Sequence, residues 1–137
     1  MMTNFHYSDL ITRLSKLDAP DREVDAEIAV LFSGDPDAYV VRPNEGAMFT
    51  HVPGWFATGD NKSHKSQAYT SSVDAAIALA ERVLPGHGWF VRNETDASHA
   101  GIFIPMTVNV IQGRAANPAT ALLITILRAK EATNGIR

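Results

Sequence analysis

Ile102-Phe103-Ile104-Pro105-Met106-Thr107-Val108-Asn109-Val110-Ile111-Gln112 is the stretch on which the fold turns. Ile102, Ile104, Met106, Val108 and Val110 share one face, and Phe103, Pro105, Thr107, Asn109 and Ile111 the other, which is the two-residue period of a strand. The spacing predicts one long strand over 102–112 with its even-numbered face in the core. Pro105 has no N–H to give a ladder, so an edge position or a bulge is expected there. Upstream, Trp89-Phe90-Val91-Arg92-Asn93 reads as a second strand, with a loop through Thr95-Asp96-Ala97-Ser98. A connection of about seven residues suits antiparallel pairing of 89–94 with 102–112.

Helices are expected on either side of this pair. Thr70-Ser71-Ser72 offers N-caps to a helix with Asp74 in its first turn and a stripe of Val73, Ala76, Ile77, Ala80, Val83 and Leu84. Pro85-Gly86-His87-Gly88 stops it. Downstream, Asn117 is placed as N-cap and Pro118 at the first helical position of a helix that is apolar nearly all round over 119–132. A helix of that kind must be largely buried.

Further out, Tyr7, Leu10, Ile11, Leu14 and Leu17 form a helical stripe over about 8–17, and Val24, Ile28, Leu31 and Phe32 a second one after Pro20. Gly34 is placed to end the second helix, and Asp35-Pro36-Asp37 forbids its continuation. The periodicity then weakens. Tyr39-Val40-Val41-Arg42 and Met48-Phe49-Thr50-His51-Val52 read as short strands around a Pro43-Asn44-Glu45-Gly46 turn, and residues 58–66 as an exposed polar loop. The expected whole is one α+β domain over 1–137, with helices on both faces of a small, mostly antiparallel sheet. It comprises an N-terminal helical pair at 8–32, a strand and loop insertion at 35–68, and an α-β-β-α core at 69–132.

With 137 residues, 45% apolar and 20% charged, the chain can build a core and is not expected to be disordered. It has no cysteine, which excludes disulfides, thiolate zinc sites and thiol nucleophiles. A net charge of −3 gives no overall support to a phosphate-tracking nucleic-acid binder. No apolar run is long enough to cross a membrane, and the opening Met1-Met2-Thr3-Asn4-Phe5-His6 lacks the blocks of a signal peptide, so a cytoplasmic protein is expected. The charge is uneven. Residues 1–37 hold eight acids and three bases, and residues 38–137 seven acids and nine bases, which favours anionic ligands on the second part.

No chemistry-bearing motif emerges. The five histidines form no pair at helical metal-site spacing, although His51, His64 and His99 all fall in or beside loops. There is no nucleophile elbow, and Ser72 and Asp74 are explained by capping. Glu94 and Asp96 flank a loop and are expected to be solvated. The expectation is a non-enzyme with no cofactor and no metal. The anion-binding features are two helix N-termini, Tyr69-Thr70-Ser71-Ser72 and Gly113-Arg114-Ala115-Ala116-Asn117, although capping alone accounts for each. An exposed aromatic beside Arg92 or Arg114 would stack on a ring ligand.

The order of several motifs resembles a family of small bacteriophage proteins with a "phage ABA sandwich" domain. The motifs are Asp9-Leu10-Ile11-Thr12-Arg13-Leu14, Asp25-Ala26-Glu27-Ile28-Ala29, Tyr69-Thr70-Ser71-Ser72-Val73-Asp74-Ala75-Ala76, Gly88-Trp89 and Asn117-Pro118-Ala119-Thr120-Ala121-Leu122. The resemblance covers most of the chain, least of all 35–68, and implies a sheet sandwiched between helices with no catalytic residues to carry over. A phage origin implies counter-defence in the cytoplasm of an infected bacterium. The leading expectation is therefore a sponge for a phosphorylated or cyclic nucleotide-like ligand. Tyr69, Thr70, Ser71, Ser72, Trp89, Arg92, Arg114 and Asn117 are its candidate binding residues. A module that inhibits a host protein is the alternative, and a nucleotide-acting enzyme the third. The nearly all-apolar last helix also predicts a homodimer or higher homo-oligomer burying Ile124 or Leu127 between protomers.

Overall fold

The computed structural model describes residues 2–41 and 53–134. They form an α+β protein of four helices and two three-stranded antiparallel sheets. The strand expected over 48–52 and the turn before it lie outside the described residues. The chain divides into two compact units, Met1–Pro20 with Tyr69–Arg137, and Asp21–Ala68. The expected helical pair is thus split between the units, and its second helix belongs with the residues that follow it.

The first unit contains α1 (Met2–Ser15), α3 (Val73–Val83), β4 (Gly88–Asn93), β5 (Ser98–Phe103), β6 (Val110–Ala115) and α4 (Pro118–Asn134). Three strands run as a meander in the order β4-β5-β6. Residues 94–97 make the first reversal, closed by Glu94 N–H on the Ala97 carbonyl at 2.7 Å. Antiparallel pairing holds as expected, but Arg92 faces His99 and Trp89 faces Ile102, so the connection is a tight turn and not a seven-residue loop.

The long strand over 102–112 is instead the end of β5, a reversal and the start of β6. Thr107 N–H donates to the Ile104 carbonyl (3.3 Å), and Ile104 N–H to the Asn109 carbonyl (3.1 Å). Pro105 sits where a fixed φ favours a turn, and Met106 follows at φ +66°, the pattern of a type II turn. The Thr107 hydroxyl secures it by donating to Ile104 O and accepting from Asn109 N–H. The predicted core face is therefore wrong at the turn. Ile102 is buried and Ile104 partly so, but Met106 is 101% exposed and Val108 97%.

Helix α4 packs on the face of the sheet that carries Ala100, Ile102 and Gly113, and α1 and α3 pack on α4. A Cβ on Gly113 would lie 2.5 Å from Thr125 Oγ1 and 3.1 Å from the Ala121 carbonyl, so strand and helix meet as closely as glycine permits. Leu122, Leu123, Ile124, Ile126 and Leu127 are fully buried there. This corrects the expectation that Ile124 or Leu127 lies between protomers. Ile124 and Leu127 are each 1% exposed within one chain, because the sheet, α1 and α3 cover the helix. Any self-association would use another surface.

The second unit holds α2 (Arg22–Leu31), β1 (Tyr39–Val40), β2 (Trp55–Ala57) and β3 (Ser63–Lys65), in sheet order β1-β2-β3. Asp21 caps α2 through bonds from Glu23 N–H and Val24 N–H, and Gly34 follows at φ +77°. The expected loop over 58–66 is in part a hairpin, since its tail pairs as β3 with β2. Ser63, His64 and Lys65 are exposed, as expected, because the strand lies at a sheet edge, whereas Ser66 at the end of the span is buried. Among the described residues no helix is long and apolar enough to cross a membrane.

Candidate functional site

In an antiparallel sheet, residues directly opposite one another point to the same face. The pairing sets Arg92 opposite His99 and His99 opposite Arg114, so the three side chains line up across β4, β5 and β6. They stand on the face away from α4, together with Phe90, Phe103 and Gln112. Glu94, just past the end of β4, reaches back over this row. Its Oε1 lies 2.8 Å from Arg114 Nη1 and its Oε2 3.2 Å from Arg92 Nε. One carboxylate is thus held by arginines of the two outer strands above the histidine of the middle one. The arginine side chains remain 59% and 64% exposed, so these two ion pairs add little to stability.

His99 is only 6% exposed. Its Nε2 lies 2.6 Å from Gln112 Oε1, while Nδ1 is 3.7 Å from Glu94 Oε2, beyond hydrogen-bonding range, and has no other partner. A buried polar atom left without a partner is uncommon and costly. Phe90 forms the apolar side. Its ring lies edge-on to His99 at 5.4 Å, packs on Phe103 at 5.8 Å and carries the Arg92 guanidinium 5.6 Å from its centroid. Beside the row, a cleft of about 280 Å³ is lined by His99, Gln112, Gly113, Arg114 and Arg128. Arg128 reaches it from α4, donating to the Gln112 carbonyl at 2.9 Å.

Of the residues expected to bind a ligand, the fold brings Arg92 and Arg114 together and leaves the others elsewhere. Trp89 lies on the α4 side of the sheet, in register with buried Ile102, so Phe90 and not Trp89 is the aromatic beside Arg92. Tyr69 and Thr70 are buried, and Thr70 and Ser71 each already have an interaction partner. Ser72 caps α3 by accepting from Ala75 N–H, and Asn117 caps α4 by accepting from the Thr120 N–H and hydroxyl. Capping accounts for both. Glu94 corrects the expectation of a solvated loop acid, because two arginines hold it. His99, Gln112 and Arg128 were missed as site residues.

A second polar cluster, in the Asp21–Ala68 unit, is structural. Asp35 accepts from Gly59 N–H and Asp37 N–H, which hold its carboxyl below the usual carboxylate range. Asp60 is lowered in the same way by the Thr58 hydroxyl and then Lys62 N–H. Arg22 donates to Asp25, to the Ser66 carbonyl and to the Gln67 carbonyl, fastening α2 to the end of β3. Of the histidines, His64 stacks on Phe56 in this unit, and His51 lies outside the described residues. Comparison with protein-family models, with curated proteins and with solved structures returned no match in any of the three.

Proposed function

We propose that the protein is a non-enzymatic binder that captures a nucleotide-like anion on the outer face of the β4–β6 sheet. The observation that carries this is the convergence of Arg92, His99 and Arg114 on one point, with Arg128 alongside and Glu94 the one carboxylate paired with the row among the described residues. An excess of fixed guanidinium charge beside an aromatic side suits a phosphorylated ring compound. Arg92 and Arg114 take the phosphate, and Phe90 with half-exposed Phe103 flanks the ring. The resemblance to small phage proteins favours sequestration of a host nucleotide signal as the purpose, in the cytoplasm of an infected bacterium. The test is calorimetric titration with a panel of nucleotide second messengers. At least one is expected to bind with Kd below about 100 μM, and Arg92→Ala or Arg114→Ala to weaken it about ten- to a hundredfold. If none binds in that range, the proposal fails. Inhibition of a host protein then becomes the better reading, with exposed Met106 and Val108 as its contact.

A further inference from the structure

The carboxylate of Glu94 occupies the point toward which Arg92, His99 and Arg114 are directed, yet it satisfies only two of them. Its two oxygens serve the two arginines, and His99 Nδ1 is left 3.7 Å away without a partner. We infer that Glu94 is a resident stand-in, and that the anchoring group of the ligand is a phosphate monoester that displaces it from between Arg92 and Arg114. This deepens the proposal above and rests on its reading that this face binds an anion.

The chemistry of His99 selects the monoester. The tautomer that satisfies the 2.6 Å contact with the Gln112 amide oxygen has Nε2–H donating to it, which makes Nδ1 an acceptor. An ionised carboxylate is acceptor-only, so it cannot bond an unprotonated Nδ1. This accounts for the gap above His99. A phosphate monoester in its singly protonated form brings both kinds of group: a P–OH to donate to Nδ1, and oxygens to accept from each arginine. A phosphodiester has no P–OH, so like the carboxylate it offers Nδ1 only acceptors. A tetrahedral monoester therefore completes the three-strand row where a planar carboxylate leaves one member out. Displacement is feasible because both ion pairs of Glu94 are made to arginines more than half exposed and are therefore weak, and because the acid stands at the start of the 94–97 turn.

The probes are methyl phosphate, dimethyl phosphate and acetate, titrated at low salt into 15N-labelled protein with the His99 ring nitrogens as reporter. Methyl phosphate is expected to shift Nδ1 saturably, and the other two to leave it in place. Removing the competing carboxylate in Glu94→Gln should tighten methyl phosphate about tenfold, the equivalent of two exposed ion pairs. Asp96→Asn removes the same charge from the same turn without touching the arginines and should change affinity less than about twofold. Equal or weaker binding in Glu94→Gln, or equal gains in both variants, overturns the inference. Should Glu94→Gln fail to fold, the wild-type comparison of monoester with diester decides it alone, and equal responses overturn it. Nucleotide binding that Arg92→Ala abolishes, with no methyl phosphate shift at His99, leaves the proposed function standing and this inference refuted. The absence of both removes both.

Discussion

Gly101 lies under the aromatic side of the site, and replacing it with alanine tests the packing there. A Cβ at this position would meet Phe90 Cε2 at 2.2 Å, Cζ at 2.6 Å and Cδ2 at 3.0 Å. Ordinary carbon contacts need more than 3.4 Å, so the ring must leave. Neighbours block its retreat across β5, with His99 on one side and Phe103 on the other, each between 5 and 6 Å by centroid. It swings outward instead and gives up roughly 100 Å² of contact, about 2.5 kcal/mol. Alanine recovers about 0.5–1 kcal/mol of chain entropy in a strand. The net expectation for Gly101→Ala is a loss of about 1.5 kcal/mol, or about 5 °C in Tm for a chain of this size. In a Phe90→Ala background the obstacle is gone, and the same substitution should be neutral or stabilising. Denaturant melts of the four members of the cycle would then give a coupling of about 2 kcal/mol. If Gly101→Ala costs the same in both backgrounds, the ring does not cover the glycine and the arrangement described here is wrong.

The remaining tests address the other parts of the structure. Ser72→Ala and Asn117→Ala should each cost about 1 kcal/mol by denaturant melt while leaving anion affinity unchanged; a loss of affinity without loss of stability would restore them as ligand contacts. Asp35 has a lowered folded pKa, owing first to Gly59 N–H and then to Asp37 N–H, so its stabilisation is present above about pH 4 and is lost as pH falls through that lowered value. An NMR titration of its carboxyl should show the downward shift, and Asp35→Asn should flatten the acid limb of the stability curve; a normal titration contradicts the Gly59 contact. At the β5–β6 turn, Met106→Gly should be neutral or stabilising because φ is +66°, and Val108→Ser should cost less than about 0.5 kcal/mol. A cost above about 2 kcal/mol at Val108 would mean that it is core after all.

The helices were readable because their signals are local. Stripes such as Tyr7, Leu10 and Leu14, or Ala76 and Ala80, are fixed by a period that does not depend on the rest of the chain, and the caps Ser72 and Asn117 are written beside them. The segment 102–112 misled for a specific reason. Alternation is the same whether a chain runs straight or reverses, and here a turn happens to carry apolar residues at two even positions, Met106 and Val108. Pro105 was the one signal against a continuous strand. Its missing N–H fits an edge position or a bulge, but a proline followed by a residue that takes positive φ marks a turn equally well.

That single misplacement also concealed the site. Pairing 89–94 with 102–112 through a loop at 95–101 would set Arg92 near Ile104 and put His99 in the loop, so no row of cations arises. The actual turn at 94–97 moves the register, sets Arg92 on His99, and lets the next turn bring Arg114 to the other side of the same histidine. Register is a property of two turns at once, and a shift of one residue sends every side chain to the opposite face. Alternation within β4 alone puts Phe90, and not Trp89, on the same side as Arg92, so the aromatic of the site was legible there although the expectation fell on Trp89. Glu94 is the residue whose meaning changed most. Read alone it is a loop acid; in register it bridges two strands above the unpartnered Nδ1 of a third. The chemistry of this face therefore arises from strand pairing and not from any motif. Its most direct test is whether removing the Glu94 charge strengthens the binding of an anion to the arginines it now holds.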